Sequence, residues 1–150
     1  MTLYLKYRPR KIEELDLVKV RGGLAAMLKS KSVPHAWLFS GPRGLGKTSS
    51  ARILAKYVNC TAKSGLPCGK CDRCQEIEEG TAADVVEIDA ASNRGIDEIR
   101  LLKERVNLVP MRAKYKVYVV DEVHMLTLEA ANALLKTLEE PPPHVIFVLC

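Results

Sequence analysis

The sequence predicts an α/β domain in which helices cover both faces of a parallel sheet, a three-layer arrangement. Short and strongly apolar runs suit strands that are buried on both faces of such a sheet, and helical patterns alternate with them. The predicted strands are residues 36–40, 85–89, 117–121 and 145–150. A glycine-rich loop directly follows the first of them, which is the usual place of a phosphate-binding loop.

Three helices are predicted between these strands. After the glycine-rich loop, the spacing of one helix face is kept by Ala51, Leu54, Ala55 and Val58. A second helix is expected over about residues 95–106. Thr127 can cap a third helix, which the proline run 141–143 ends. The residues predicted to face inward from that helix are Leu128, Ala131, Leu134, Leu135 and Leu138.

The composition is that of a globular protein about one domain long, with 150 residues of which 47% are hydrophobic. The first residues are too often interrupted by charge for a signal peptide, and no apolar run approaches the length of a membrane span. We therefore expect a cytoplasmic protein with no membrane partner. In that compartment, clustered cysteines indicate metal binding more than disulfides.

The charge is unevenly distributed along the chain. Residues 1–56 hold twelve Lys and Arg against three Asp and Glu, whereas the remaining residues hold eleven against fifteen. A basic first third fits a polyanionic partner, either nucleotide or nucleic acid. It equally fits a solvated surface.

The glycine-rich loop, GPRGLGKT over residues 41–48, has the Walker A pattern in the strand-to-helix context that supports it. Its glycines let backbone amides turn toward phosphate oxygens, and the following helix adds its positive end. Lys47 is expected to reach the β- and γ-phosphates of ATP, and Thr48 to bind Mg²⁺. The residues expected to contact the nucleotide here are Gly41, Arg43, Gly44, Leu45, Gly46, Lys47, Thr48 and Ser49. The alternative is a plain turn between strand and helix.

Asp121 is the last residue of the third predicted strand, Glu122 follows it, and the two resemble a Walker B pair. Asp121 is expected to orient Mg²⁺ or its waters, and Glu122 to polarise the water that attacks the γ-phosphate. Such a pair alone is often a surface feature, but with the phosphate loop it predicts ATP hydrolysis, with Lys47, Asp121 and Glu122 as catalytic residues. His124 is either a sensor or a partly buried histidine with satisfied hydrogen bonds.

Cys68, Cys71 and Cys74 are spaced by two residues, and Cys60 can complete a set of four sulfurs. Four thiolates at about 2.3 Å from Zn²⁺ form a closed structural site. The segment 60–74 is therefore predicted to be a small zinc-binding insertion. An iron–sulfur cluster is the main alternative. Cys150, in an apolar run, is expected to be a buried hydrophobe.

In this order, the phosphate loop, the four cysteines and the Asp-Glu-Val-His stretch 121–124 resemble the gamma/tau family of bacterial clamp-loader ATPases. The resemblance covers nearly the whole chain. It is most specific at KYRP (6–9), HAWLFSG (35–41), EIDAAS (87–92), DEVHML (121–126) and ALLKTLEEPP (133–142). The stretch LVKVRGG (17–23) departs from the family, which usually has Val-Gly-Gln near the adenine.

The resemblance implies an AAA+ fold, with Tyr7, Arg8 and Pro9 packing on the adenine and zinc held by the four cysteines. It also implies an ATP- and Mg²⁺-dependent motor that loads the sliding clamp onto primer–template DNA. Its partners would be delta, delta-prime and further copies of itself in a hetero-oligomeric ring. Arg94, Arg100 and Lys136 are the residues expected to contact DNA phosphates.

By the same resemblance, residues 1–150 are expected to be a partial AAA+ domain from the N-terminal part of a longer protein, truncated after the fourth core strand. The missing fifth strand would flank the first, which would leave the first strand at the sheet edge. The arginine finger and the lid would lie beyond residue 150, so we expect this chain to bind nucleotide with little turnover.

Two other functions are compatible with parts of the pattern. The chain can be a non-catalytic clamp-loader scaffold of the delta-prime type, in which zinc and sheet serve as a framework. Alternatively, Asp-Glu-Val-His can belong to a DEAH-like helicase core, which would leave the cysteine insertion unexplained.

Overall fold

The computed structural model describes residues 7–30, 32–92 and 95–150. The chain divides into two compact units. The first comprises Met1–Val33 and Gly41–Thr81, and the second comprises Pro34–Ser40 and Ala82–Cys150. The second unit contains a parallel sheet with helices, which confirms the predicted α/β class.

The sheet of the second unit has four strands within the described ranges, in the order β1-β4-β3-β2, and every neighbouring pair is parallel. The strands are β1 (Ala36–Leu38), β2 (Val85–Asp89), β3 (Lys116–Asp121) and β4 (Val145–Leu149). The central strands β3 and β4 are buried at all but their last residues. This burial on both faces is the reason why residues 117–120 and 145–149 form continuous apolar runs instead of alternating.

β1 is the strand at which the predicted bounds were too long. It ends at Leu38, although the Phe39 amide still donates to the Leu149 carbonyl oxygen at 2.8 Å. β1 lies at one edge of the described sheet, as expected, and β4 is its partner there.

Five helices lie in the described ranges. In chain order they are α1 (Val18–Leu28), α2 (Lys47–Asn59), α3 (Asp72–Glu79), α4 (Gly95–Arg105) and α5 (Leu128–Glu139), with short 3-10 turns at Ile12–Glu14 and Val123–Met125. None of these helices combines the length and the apolar character needed to cross a bilayer.

The helix α5 confirms the predicted cap and corrects the predicted inner face. The Thr127 hydroxyl accepts a hydrogen bond from the Ala130 amide, and Leu134 is buried. Leu128 and Leu135, expected to face inward, are 77% and 53% exposed. At about 100° per residue, both lie on a side of the helix well away from Ala130 and Leu134. The core of this unit includes Ile88, Ile99, Leu102, Tyr118, Phe147 and Leu134.

Two helices of the first unit, α1 and α3, were not predicted. α1 includes the atypical stretch and holds Gly22 and Gly23 in its interior, which lowers helix propensity and hides the pattern. α3 reads as a polar run, DRCQEIEE, in which Cys74 and Ile77 are nevertheless buried. It ends at Gly80, which has φ of 74°.

In the second unit, Asp84 organises the loop that precedes β3. Its carboxylate oxygens accept hydrogen bonds from the amides of Met111, Arg112 and Ala113, at 2.7, 2.8 and 2.8 Å. Burial raises the pKa of the Asp84 carboxyl, but these amides and the charge of Lys116 more than offset it, so the pKa lies below its ordinary value. The buried carboxylate therefore stabilises the folded loop.

We expect Asp84→Asn to lower the free energy of unfolding by about 2 kcal/mol at pH 7, since hydrogen bonds to a charged acceptor are lost. Because the pKa is depressed in the folded state, the stabilisation is present above about pH 4 and is lost as the pH falls through the folded pKa. Urea unfolding of both proteins at pH 7 and pH 3 checks this. Asp16→Asn, at an exposed position, is the control. A difference that does not shrink at low pH contradicts the assignment.

Gly22→Ala is expected to raise the free energy of unfolding by about 0.5–1 kcal/mol. Gly22 lies inside α1, and a Cβ built there meets nothing within 4 Å. The matched control is Gly80→Ala, which forces a left-handed φ of 74° on alanine and should destabilise the protein. Chemical denaturation measures both. If both variants destabilise the protein, Gly22 has a role other than helix formation.

Candidate nucleotide and metal sites

In the first unit, the phosphate loop is formed by three glycines with positive φ. Gly41, Gly44 and Gly46 have φ of 146°, 89° and 80°. A side chain at Gly41 would also bring its Cβ within 2.8 Å of Leu45 Cδ1. The loop conformation therefore depends on glycine at these positions.

The helix α2 begins at Lys47, directly after the loop, and Gly46 is its N-cap. Since glycine has no side chain to accept from the first amides, and the first turn holds no acidic residue, this helix end keeps its positive character. Lys47 adds a charge to it. Its ammonium donates to the carbonyl oxygens of Gly41 and Pro42, at 2.8 and 3.3 Å. The arrangement can bind an anionic group such as a phosphate.

The segment that the resemblance assigns to adenine contact lies in the same unit. Arg8 Nε donates to Ser49 Oγ at 3.1 Å, which links this segment to the first turn of α2. Ser49 is 7% exposed, whereas Tyr7 is 71% exposed. The ring of Tyr7 is thus accessible, and Ser49 serves here as a hydrogen-bond acceptor from Arg8.

In the second unit, acidic residues lie at the carboxyl ends of neighbouring strands. Asp89 and Asp121 are register partners at the ends of β2 and β3. Asp121 Oδ1 accepts from the Glu122 amide at 3.0 Å. Asp89 was not among the predicted site residues, although the sequence predicted it as the last residue of a strand, the same position as that of Asp121.

Glu122 has φ of 51°, an uncommon conformation for a residue with a side chain and one that costs energy. This backbone conformation turns the chain sharply from β3 into the 3-10 turn that follows. The Glu122 carboxylate lies 3.3 Å from His124 Nε2, with side-chain exposures of 25% and 69%. His124 is therefore exposed and next to Glu122, not partly buried as one interpretation required.

The four cysteines of the first unit converge on one point. Their sulfur atoms all lie within 4.8 Å of one another, and those of Cys60 and Cys71 are 4.0 Å apart. Sulfurs at about 2.3 Å from a tetrahedral metal ion are about 3.8 Å apart, so the cluster is slightly wider than the ligand set of such an ion. All four cysteines are free thiols.

Local amides further prepare this cluster for a metal ion. The Cys68 sulfur accepts hydrogen bonds from the amides of Lys70 and Cys71, at 3.5 and 3.4 Å, and these amides lower the pKa of the Cys68 thiol. At Cys71 burial opposes ionisation, but the amides of Thr61 and Cys74 lower the pKa to about 6.

Burial raises the pKa of both Cys60 and Cys74. Two thiols of the cluster therefore ionise readily and two resist ionisation. A cation would stabilise all four as thiolates, and a soft donor set of four sulfurs suits zinc or an iron–sulfur cluster.

Of the three residues predicted to contact DNA, the structure describes two. Arg94 lies outside them. Arg100, in α4, lies 3.8 Å from Asp97 and 3.3 Å from Glu129 of α5, so acidic groups already neutralise part of its charge. Lys136 lies on the last turn of α5 and is exposed.

Known proteins resemble this chain over nearly its whole length. A family model described as "DNA polymerase III, delta subunit" matches residues 19–150. DNA polymerase III subunit tau of Bacillus subtilis is 52% identical over 98% of this chain and 26% of its own length. The tau subunit of Escherichia coli is 50% identical over 96% of this chain and 23% of its own length. The gamma/tau subunit of Mycobacterium bovis is 47% identical, over 99% and 26% respectively.

The chain thus spans about a quarter of the length of these curated relatives. A solved structure from Thermotoga maritima, a DNA polymerase III gamma subunit-related protein, shares the fold with a TM-score of 0.60 and 29% identity. The superposition covers 87% of this chain and 38% of that one. The resemblance to gamma and tau inferred from the sequence is confirmed, and the chain belongs to the DNA polymerase III, delta subunit family, with gamma and tau subunits among its relatives.

Proposed function

We propose that the chain is the nucleotide-binding part of an ATP-driven clamp-loader subunit of bacterial DNA replication. The observation that carries this proposal is the phosphate loop: positive-φ glycines, a glycine N-cap and the Lys47 ammonium at the start of α2. Such a helix end attracts phosphate through its amides and its dipole. Gly41, Arg43, Gly44, Leu45 and Gly46 would surround the phosphates.

Each polar residue of the two motifs has a proposed role. Lys47 neutralises the β- and γ-phosphates, Thr48 binds Mg²⁺, and Asp121 orients the Mg²⁺ or its waters. Glu122 polarises the attacking water once it is released from His124, its partner in the present structure. Tyr7, Arg8 and Pro9 contact the adenine, a role supported by the accessible Tyr7 ring.

The cysteine cluster is proposed to hold a structural Zn²⁺ within a zinc-binding insertion over residues 60–74. The ion would have four sulfur ligands and no open position, so it would supply folding free energy and no catalysis. The convergence of the four sulfur atoms supports this assignment.

For the whole protein, we propose a cytoplasmic ATPase that assembles with delta, delta-prime and copies of itself around the sliding clamp and primer–template DNA. The names of the relatives support this assembly. Arg94, Arg100 and Lys136 remain candidates for phosphate contacts, which would add affinity without reading sequence. Residues 1–150 are proposed to be a partial AAA+ domain that binds ATP with little turnover. Fast hydrolysis would need an arginine from a neighbouring subunit, and such an arginine raises kcat by about 10³–10⁵ in related GTPases.

The two alternative functions differ in what they require. A scaffold of the delta-prime type shows no Mg²⁺-dependent ATP binding, so a nucleotide titration distinguishes it. A helicase core is disfavoured by the family match over residues 19–150.

Lys47→Ala is expected to weaken binding of a fluorescent ATP analogue by about 10- to 100-fold, because a charge-assisted contact to phosphate is lost. Equilibrium titration in the presence of Mg²⁺ measures it. Lys29→Ala, at an exposed position of the same unit, is the matched control and should bind like the original protein. Equal affinity of Lys47→Ala and the control would refute the phosphate-loop assignment.

The chain is expected to retain one equivalent of zinc, and a chelator should loosen residues 60–74 while the sheet stays folded. The metal replaces a hydrophobic core in a short polar segment, so its removal should act within the first unit and leave the sheet of the second unit folded. Elemental analysis and hydrogen exchange resolved by residue check this. Cys74→Ser should lose the metal and Cys150→Ser should keep it. Strong visible absorption and bound iron would instead assign an iron–sulfur cluster, and unfolding of the sheet on chelation would refute a local role.

A further inference from the structure

A single carboxylate in the first unit joins its own helix to two other segments of the chain. Glu78 Oε1 lies 3.3 Å from Arg10 Nε, and Glu78 Oε2 forms an ion pair with Lys56 Nζ. Lys56 belongs to α2 and Glu78 to α3, while Arg10 lies in the segment that begins at Tyr7. None of these three residues belongs to the phosphate loop or to the cysteine cluster.

We propose that Glu78 couples the metal site to the nucleotide site, so that metal bound by the cysteines raises the affinity for nucleotide. Only the effect on nucleotide affinity rests on the proposed function; the effect of the metal on the order of the segment that begins at Tyr7 does not. Glu78 would act as a positioning residue. It contacts neither ligand, and it holds the segment that includes Tyr7, Arg8 and Pro9 in place through Arg10.

The first step of the coupling is between the metal and α3. Cys71 is the N-cap of α3, and Cys74 lies within it. Glu78 follows Cys74 by four residues, so it lies one turn further along the same side of the helix. A helix of eight residues is too short to be stable alone, and its order must come from its contacts. A metal ion held by two residues of its first turn therefore fixes the direction in which Glu78 points.

The second step is between α3 and α2. The Lys56 side chain is only 4% exposed, and a buried ammonium is costly unless an anion accompanies it. Glu78 is that anion. The pair therefore selects the arrangement of α3 in which its carboxylate meets Lys56.

The third step reaches the segment assigned to adenine. Two side chains on either side of Pro9 tie this segment down: Arg8 to Ser49 at the start of α2, and Arg10 to Glu78 on α3. The Arg10 amide also donates to Glu14 Oε2 at 2.7 Å, which shapes the local turn. If α3 is disordered, the segment keeps the Arg8 contact and loses the Arg10 contact. The segment then becomes less ordered, and Tyr7 is held less firmly in position.

The test uses hydrogen exchange of the full chain, with zinc bound and after chelation. Exchange at the amides of residues 7–16 should rise by about two- to five-fold on chelation, the size that one partly exposed ion pair supports. In Arg10→Gln, exchange should already be raised with zinc bound, and chelation should add little. This variant keeps Lys56 paired with Glu78, so it avoids leaving a buried charge alone.

Glu79→Gln is the matched control, since the same change is made at the next residue of α3, which is exposed. It should respond to chelation like the original chain. The proposal is overturned if chelation leaves residues 7–16 unchanged in the original chain, or if Arg10→Gln responds as strongly as Glu79→Gln does.

The nucleotide arm repeats the comparison with a fluorescent ATP analogue and Mg²⁺. Affinity should fall about two- to five-fold on chelation in the original chain and in Glu79→Gln, but not in Arg10→Gln. An affinity that is independent of zinc in the original chain overturns the coupling. Absence of any nucleotide binding, together with the expected exchange pattern, refutes the proposed function and leaves the link between metal and segment standing.

Discussion

Parallel pairing of the strands is the constraint on which the second unit depends. Because all four described strands run in the same direction, their carboxyl ends meet at one edge. Asp89 and Asp121 are register partners there, and Glu122 follows at once with a left-handed backbone. The same pairing requires β3 and β4 to be buried on both faces, so their apolar sequences and the acidic edge have one cause.

The first unit is organised differently, by polar contacts that join short elements. The phosphate loop precedes α2, and Cys60 follows the last residue of that helix, so one helix runs from the candidate nucleotide site to the candidate metal site. Thirteen residues of helix span about 20 Å, which is too far for direct contact between two such ligands. Any communication between them must use side chains such as Lys56 and Glu78 that tie neighbouring elements together.

Much of this could be predicted from the sequence because the signals are local. The loop of residues 41–48 has a fixed spacing, three of the four strands are short apolar runs found within one residue of their predicted bounds, and Thr127 caps its helix as a threonine at that position should. The cysteine spacing likewise predicted a cluster that the structure assembles. In each case a short stretch of sequence is enough to specify the backbone geometry.

What could not be predicted depends on contacts between residues distant in sequence. α3 has the composition of a solvated loop, and it is helical because Cys74 and Ile77 are buried and Glu78 meets Lys56. α1 forms despite Gly22 and Gly23, with Leu24 and Leu28 buried. The exposure of Leu128 and Leu135 depends on which side of α5 faces the sheet. Since this helix has apolar residues on two sides, its sequence pattern does not specify which of them is buried. The contact of Glu122 with His124 depends on a turn with positive φ that a glutamate seldom adopts.

The burial of Lys56 also has a consequence for chemical labelling. Acylating reagents modify the lysine amines that solvent reaches, and the Lys56 side chain is only 4% exposed and is paired with Glu78. Lys56 is therefore a slow-reacting amine among many fast ones. The rate at which it becomes modified therefore reports how often the first unit opens around this side chain.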